Sequence, residues 1–281
     1  MRKLLASAAW PYAAISGVLR PGLRILMYHR VASLPFYDQL TVSPERFERQ
    51  MRQLCARHQV VSLAEGLLAL QAGPLRSPLV AVTFDDGYLD NLTEAAPILV
   101  RHGVPATIFV TTRFCDQAAS HPRYGRPAKR LHLNWHEVTS LAAAPGIAIG
   151  SHTLSHPYLP TLDEEQARRE IEDSRREIEA HIGRPVLHFC YPSGDLSTRE
   201  LNLVRQAGYA AAVSVAPGRN HADADRFQLR RTEITDRDDD FDFALKLAGA
   251  FDPLHRLLHA RRIRRFTQSH VKPNAPSSIQ P

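Results

Sequence analysis

Short apolar, β-branched runs alternate with amphipathic helical patterns at least five times along this chain, and nothing else in the sequence limits its fold as strongly. Runs such as Leu79–Phe84 carry no polar alternation, so they read as strands buried on both faces. Strands of that kind are joined by crossover helices, which predicts an α/β fold with a parallel sheet. Further strands are expected at Arg24–Val31, Gln59–Leu63, Ala106–Thr111, Ile147–Ser151, Val186–Tyr191 and Ala210–Val215, with Phe227–Ile234 as an added edge strand. Between them, Ser43-Pro44 opens a helix with apolar positions Phe47, Met51 and Leu54. A helix over Leu89–His102 stops at Gly103, and Trp135–Ala144 forms another. Thr161 and Glu164 read as a capping box for a helix over 162–182, and Ser197 and Glu200 as one for the helix that ends at Gly208.

Charge is distributed unevenly. The net charge is +6 at 281 residues, and the pI is near 9.5. Arg2, Lys3, Arg20 and Arg24 lie near one end and Arg256, Arg261, Arg262, Arg264 and Arg265 near the other. Basic ends of this kind suit a peripheral contact with an anionic membrane surface. No aromatic-interleaved basic motif appears, so nucleic acid is not an expected partner. No Gly-x-Gly-x-x-Gly or phosphate loop follows any strand, which argues against nucleotide binding. Three cysteines, Cys55, Cys115 and Cys190, have no metal-type spacing and favour a reducing compartment. Residues 1–22 read as a short amphipathic segment interrupted by Trp10-Pro11-Tyr12, without a clean leader-peptide cleavage site. A single domain over 23–240 is expected, then a basic helix over 241–266 and a disordered tail over 267–281. A cytoplasmic location at the inner membrane face is the expectation, with export as the alternative.

The polar residues of interest sit where strands end. Leu79–Phe84 runs into Asp85-Asp86-Gly87-Tyr88. Two adjacent carboxylates at the mouth of an apolar strand repel unless a cation or proton is shared. After Ile147–Ile149 comes Gly150-Ser151-His152-Thr153-Leu154-Ser155-His156-Pro157. Two histidines four apart are expected on one side of a helical turn, where they could share one cation. A carboxylate and two imidazoles would bind Zn²⁺ or a similar ion with coordination positions left open, as catalytic sites do, and leave the second Asp free as a base. Phe189-Cys190-Tyr191-Pro192-Ser193-Gly194 supplies a tight turn able to aim a backbone N–H at an oxyanion.

These three clusters, in this order and approximate spacing, resemble the polysaccharide deacetylases, the metal-dependent carbohydrate esterases that include chitin-oligosaccharide and peptidoglycan deacetylases. The likeness covers roughly residues 24 to 234. Leu26-Met27-Tyr28-His29-Arg30-Val31 is similar to the branch acting on exopolysaccharides, including the poly-N-acetylglucosamine deacetylases. The resemblance implies a distorted (β/α) barrel of parallel strands with outer helices. It implies a hydrolase that removes acetyl groups, N-acetyl foremost, from a polysaccharide or lipid-linked saccharide. In it Asp85 matches the general base, Asp86, His152 and His156 match the metal ligands (Zn²⁺ foremost), and the backbone N–H of Ser193 matches the oxyanion donor. Substrate contacts are expected from His29, Tyr88, Trp135, Tyr191, Pro192 and Arg231, and the basic loop 113–133 is the candidate rim or lid.

Two features depart from the family pattern. The Arg that pairs with the base in many members is Cys190 here, and Arg231 or Arg30 would have to substitute. The late Leu-x-His motif that carries the general acid has no clear copy, which leaves His221, His255, His259 and His29 as candidates. These departures keep open a catalytically impaired sugar-binding protein of the same fold; a second alternative keeps the fold and changes the substrate to another small-molecule C–N amide bond.

Overall fold

The computed structural model describes residues 20–117, 119–124, 129–194 and 196–270. Most of residues 1–22 and of the 267–281 tail therefore lies outside the described residues. Seven parallel strands close into a barrel: β1 Leu23–Tyr28, β2 Leu79–Phe84, β3 Ala106–Val110, β4 Ile147–Ser151, β5 His188–Cys190, β6 Ala211–Pro217 and β7 Leu229–Glu233. Neighbours pair in chain order, and β1 pairs both β2 and β7, which closes the ring. The short strand Gln59–Val60 adds beside the start of β2.

Alternation along each strand sorts the core into two layers. Leu23, Ile25, Leu79, Ala81, Phe109, Val213 and Leu229 pack together in one cluster inside the ring. Leu26, Tyr28, Val80, Val82 and Phe84 belong to a second, larger cluster that includes the helix residues Phe47, Met51 and Leu54. Tyr28 meets Phe47 edge-on at 5.2 Å and stacks on Phe84 at 5.5 Å, so the Pro44–Arg57 helix is locked to β1 and β2. The apolar strands are continuous in hydrophobicity because both faces are buried.

Several expected elements differ in detail. Phe227–Ile234 is not an edge: its core, β7, pairs on both sides and completes the barrel. Its Arg-Arg-Thr sequence looks like an edge only because Arg231 is a buried cation. The first strand ends at Tyr28, and Arg30–Val31 leaves to pair with Thr41–Val42. The long helix is capped by Asp163 and Gln166 rather than by Thr161 and Glu164. Thr161 closes a short 3₁₀ turn, with its hydroxyl donating to the Tyr158 carbonyl at 2.8 Å. The basic segment forms two helices, Asp240–Ala248 and Asp252–His270, broken at Gly249 with φ 92°. The second continues past 266 into the stretch expected to be disordered.

One buried side chain makes a pH prediction. His188, at the start of β5, is 5% exposed, and burial pushes its pKa down to about 4. The unfolded chain takes that proton below about 6.5, the folded chain not until about 4. Stability from this site is therefore complete above pH 6.5 and falls as pH drops towards 4, by up to about 3 kcal/mol. Urea unfolding at pH 7 and pH 4.5 should show that His188→Leu narrows the difference between the two pH values by about 2 kcal/mol. An unchanged difference would mean that His188 does not titrate in this window.

Candidate active site

A cavity of about 780 Å³ holds the residues that follow the strand ends. Asp85, Asp86, His152, His156 and Ser193 all line it, although they come from turns after β2, β4 and β5. At the end of β2 the Asp85 N–H donates to the Tyr28 carbonyl at 3.0 Å, so Asp85 still follows the sheet. Asp86 then takes φ 69° and Gly87 φ 59°. This sharp left-handed turn sends successive carboxylates to different partners. A side chain at position 87 would also meet Val110 Cγ1 at 2.9 Å, so glycine is required there.

Asp85 is paired with Arg231. Nη1 donates to Oδ1 and Nη2 to Oδ2, both at 2.7 Å, and both residues are buried. Arg231 is fixed in turn by Nε donating to the Ser214 carbonyl at 2.8 Å and by Nη1 reaching Thr83 Oγ1 at 3.2 Å. Its Nη2 also lies 3.1 Å from Cys190 Sγ. Burial alone would raise the Asp85 carboxyl, but the Arg231 charge and hydrogen bonds outweigh it and hold the pKa below the usual carboxylate value. Arg231 thus takes the place of the arginine missing at Cys190. Arg30 does not, because its Nε donates to Asp90 at 2.8 Å.

Asp86 faces the histidines. Its Oδ1 lies 3.4 Å from Nε2 of His152 and 3.4 Å from Nε2 of His156, and it accepts no hydrogen bond. His152 Nδ1 sits 2.8 Å from the Cys190 carbonyl, which can only accept, so Nδ1 carries the ring proton. Nε2 then faces a carboxylate oxygen. Burial opposes a charge on this ring, but the Cys190 and Asp86 contacts outweigh it and raise the His152 pKa well above the usual value, so Nε2 takes up a proton unless a cation fills the gap. Two lone pairs in contact require a proton or a cation between them. Burial opposes the charge on Asp86, yet the His152 contact keeps its pKa well below the usual value. For His156, burial pushes the pKa down to about 4, so this ring is neutral at pH 7. The ligand atoms of Asp86, His152 and His156 lie within 4.8 Å of one another, a donor set that fits a divalent cation. Asp85, His152 and Cys190 also cluster, but Arg231 already places its positive charge against two of them.

The local geometry is not the helical turn that the four-residue spacing suggested. Thr153 and His156 both have left-handed backbone, φ 69° and 58°, and the His156 N–H donates to Thr153 Oγ1 at 3.0 Å. His29, Tyr191 and Arg231 line the cavity. The Tyr191 hydroxyl is committed to the Phe227 carbonyl at 3.0 Å. Trp135, Tyr88 and Pro192 are not among the residues lining it. Trp135 stacks on His181 at 3.9 Å and donates to Asp116, which turns it away. Tyr88 is buried between the His132 ring at 4.7 Å and the Arg30 guanidinium at 5.2 Å. Of the candidate acids, His29, His255 and His259 line the cavity, whereas His221 lies at the Pro21 carbonyl.

Two histidines escaped the sequence reading. The Arg123 N–H donates to His121 Nδ1 at 3.2 Å, and the His121 N–H donates to His132 Nε2 at 3.1 Å. His132 must therefore carry its proton on Nδ1, which donates to the Asp86 carbonyl at 3.1 Å. His121 Nε2 stands 3.9 Å from Asp86 Oδ2. The rim loop is thus keyed to Asp86 through tautomers. Only the density of histidines in 113–133 hinted at this.

A closed parallel barrel with an Asp, two His and a buried Asp–Arg pair at its strand ends defines a class of hydrolase with a metal-type site. The sequence profile of the polysaccharide deacetylases matches residues 72–212. YxkH of Bacillus subtilis (strain 168), assigned to the polysaccharide deacetylases, is 30% identical over 215 residues, covering 76% of this chain and 71% of YxkH. The peptidoglycan-N-acetylmuramic acid deacetylase PdaA of the same organism is 28% identical over 156 residues, 55% of this chain and 53% of PdaA. In fold, the chain is similar to the Streptococcus pyogenes deacetylase PplD, solved in complex with acetate, with TM-score 0.71 and 21% identity over 80% of this chain and 98% of that one. The chain belongs to the polysaccharide deacetylase family, and it is a hydrolase of that class.

Replacing Arg231 by Met should leave Asp85 as a buried charge without its counter-ion. Urea unfolding at pH 7 should show a loss of about 3–5 kcal/mol. A loss below about 1 kcal/mol would mean that water or another cation readily replaces the guanidinium.

Proposed function

We propose that this enzyme removes N-acetyl groups from amino sugars of a polysaccharide or its lipid-linked precursor. Asp86, His152 and His156 hold a divalent cation in this reading, and Asp85 is the base. The observation that carries it is Asp86 Oδ1 set against two imidazole Nε2 atoms, in the same cavity as a carboxylate anchored by Arg231. One carboxylate and two neutral imidazoles suit Zn²⁺ among the common divalent ions. The names of the relatives support a sugar polymer as substrate.

When bound, such a cation polarises an acetyl carbonyl and makes a coordinated water more acidic. The chain's own residues do the rest. Arg231 holds the Asp85 carboxylate ionised and in one orientation, while each oxygen keeps a lone pair to accept a proton. The Cys190 carbonyl fixes the His152 tautomer, so Nε2 is free to ligate. In this reading the amide of Ser193, a residue that lines the cavity, donates to the oxygen on which negative charge grows. The Asp–Asp–His–His set is intact, so an impaired sugar-binding protein is not favoured.

Acetate release from N-acetylated chito-oligosaccharides tests this. Purified enzyme should release acetate, lose the activity to a chelator and regain it with Zn²⁺. Asp85→Asn should bind Zn²⁺ as the parent does yet fall in kcat by about 10²- to 10⁴-fold. Full activity in Asp85→Asn would sink the mechanism.

A further inference from the structure

The helix Asp252–His270 lies beyond the stretch that the family profile matches, yet it forms part of the cavity wall. It is held at two places. At its first turn, Arg24 from β1 gives Asp252 a bidentate pair at 3.1 and 3.0 Å. Farther along, Arg262 Nη2 donates to the Ser193 carbonyl at 2.6 Å. His255, Leu258, His259 and the anchor Arg262 fall on one helix face, and all four line the cavity that holds Asp85 and Asp86.

The Ser193 turn is unusual. Ser193 has φ 58° and ψ −4°, a left-handed conformation that a non-glycine residue keeps only where its surroundings enforce it. The peptide joining Ser193 to Gly194 is gripped from both sides. The Gly194 N–H donates to the Tyr191 carbonyl at 2.9 Å, and Arg262 takes the Ser193 carbonyl. Rotating that peptide to relax Ser193 would break both hydrogen bonds. Gly194 is also packed so tightly that an added Cβ would lie 2.4 Å from the Val215 backbone nitrogen, so the turn has no room to drift towards β6.

We propose that Arg262 is a positioning residue of the active site: by clamping the Ser193 carbonyl, it holds the turn in the conformation that presents the Ser193 amide to the developing oxyanion. This rests on the deacetylase reading given above. It makes the C-terminal helix part of the catalytic apparatus, with Arg24–Asp252 as its fixed end and Arg262–Ser193 as its working end. The bond is charge-assisted and so stronger than a neutral one, which suits a group that must hold a strained peptide.

Full-length enzyme loaded with Zn²⁺ provides the test, in four forms: parent, Arg262→Ala, Arg262→Lys and Arg261→Ala. With N-acetylated chitopentaose, Arg262→Ala should lower kcat by about 10- to 100-fold, less than the loss of a whole oxyanion donor, with KM within about twofold. Arg262→Lys should recover part of that loss, and Arg261→Ala should match the parent. Independently of turnover, the ¹⁵N–¹H resonances of Ser193 and Gly194 should shift in Arg262→Ala and their amides should exchange faster. Unchanged amides, or a raised KM with kcat intact, would overturn the proposal, the second outcome placing Arg262 on the substrate instead. Absence of acetate release by the parent would count against the deacetylase reading, and the amide data would then decide the role of Arg262 alone.

Discussion

A carboxylate with almost no solvent contact stays ionised only if a cation is built in beside it, and for Asp85 that cation is Arg231. Asp85 directly follows β2 and Arg231 lies on β7, 146 positions apart in sequence. They meet because β1 pairs with both strands and the ring closes. An open sheet with β7 at its edge would leave Arg231 in solvent and Asp85 buried without a partner, a state that costs several kcal/mol. Closure of the barrel and ionisation of Asp85 are therefore one condition. The Thr83 hydroxyl shows how closely the two are linked, since it donates to Leu26 on β1 at 2.7 Å and accepts from Arg231.

The same economy separates the two adjacent aspartates. On a regular strand, Asp86 would point away from the barrel interior and into the surrounding layer. Its left-handed backbone turns it back over the strand end, towards His152 and His156 and away from the guanidinium. Each carboxylate thus meets a different partner: a permanent positive charge for Asp85, and for Asp86 a pair of imidazoles that invites a proton or a cation. Left-handed residues recur at Thr153, His156 and Ser193, all around the same cavity. Such backbone persists where surrounding contacts enforce it, and here these contacts are Thr153 Oγ1, the Tyr191 carbonyl and Arg262.

The strands, the alternation and the strand-end clusters were legible in the sequence because they are local: an apolar run and the polar residues that end it are contiguous. What was not legible is long-range. Nothing in the order of residues told Arg231 from Arg30 as the partner of Asp85, and it took the pairing of Arg30 with Asp90 to separate them. The His-x-x-x-His spacing suggested a helix because four residues make about one turn, but His156 is aimed by its own φ and not by helical periodicity. His121 and His132 stayed hidden because their link to Asp86 runs through backbone donors and ring tautomers. Trp135 looked like a site residue by its place after a loop, yet the partner that stacks on it, His181, comes from a helix 46 positions on.

The cavity walls divide into two kinds of structure. Asp85, Asp86, His152, His156 and Arg231 come from strands or from the turns at strand ends, and each is held by the sheet that also makes the core. The remaining wall is built from a rim loop, with His121 and Arg123, and from the C-terminal helix, with His255, Leu258, His259 and Arg262. These segments are fastened by a few polar contacts rather than by deep apolar packing: Arg123 and Tyr124 to Asp38, Arg24 to Asp252, Arg262 to Ser193. Altering such a segment costs the barrel little, because its buried apolar layers are elsewhere. Altering Arg231 or Gly87 disturbs core and site together. The cavity thus joins a part that cannot change without disturbing the core to a part that can, and the Arg262–Ser193 contact is where the second bears on the first.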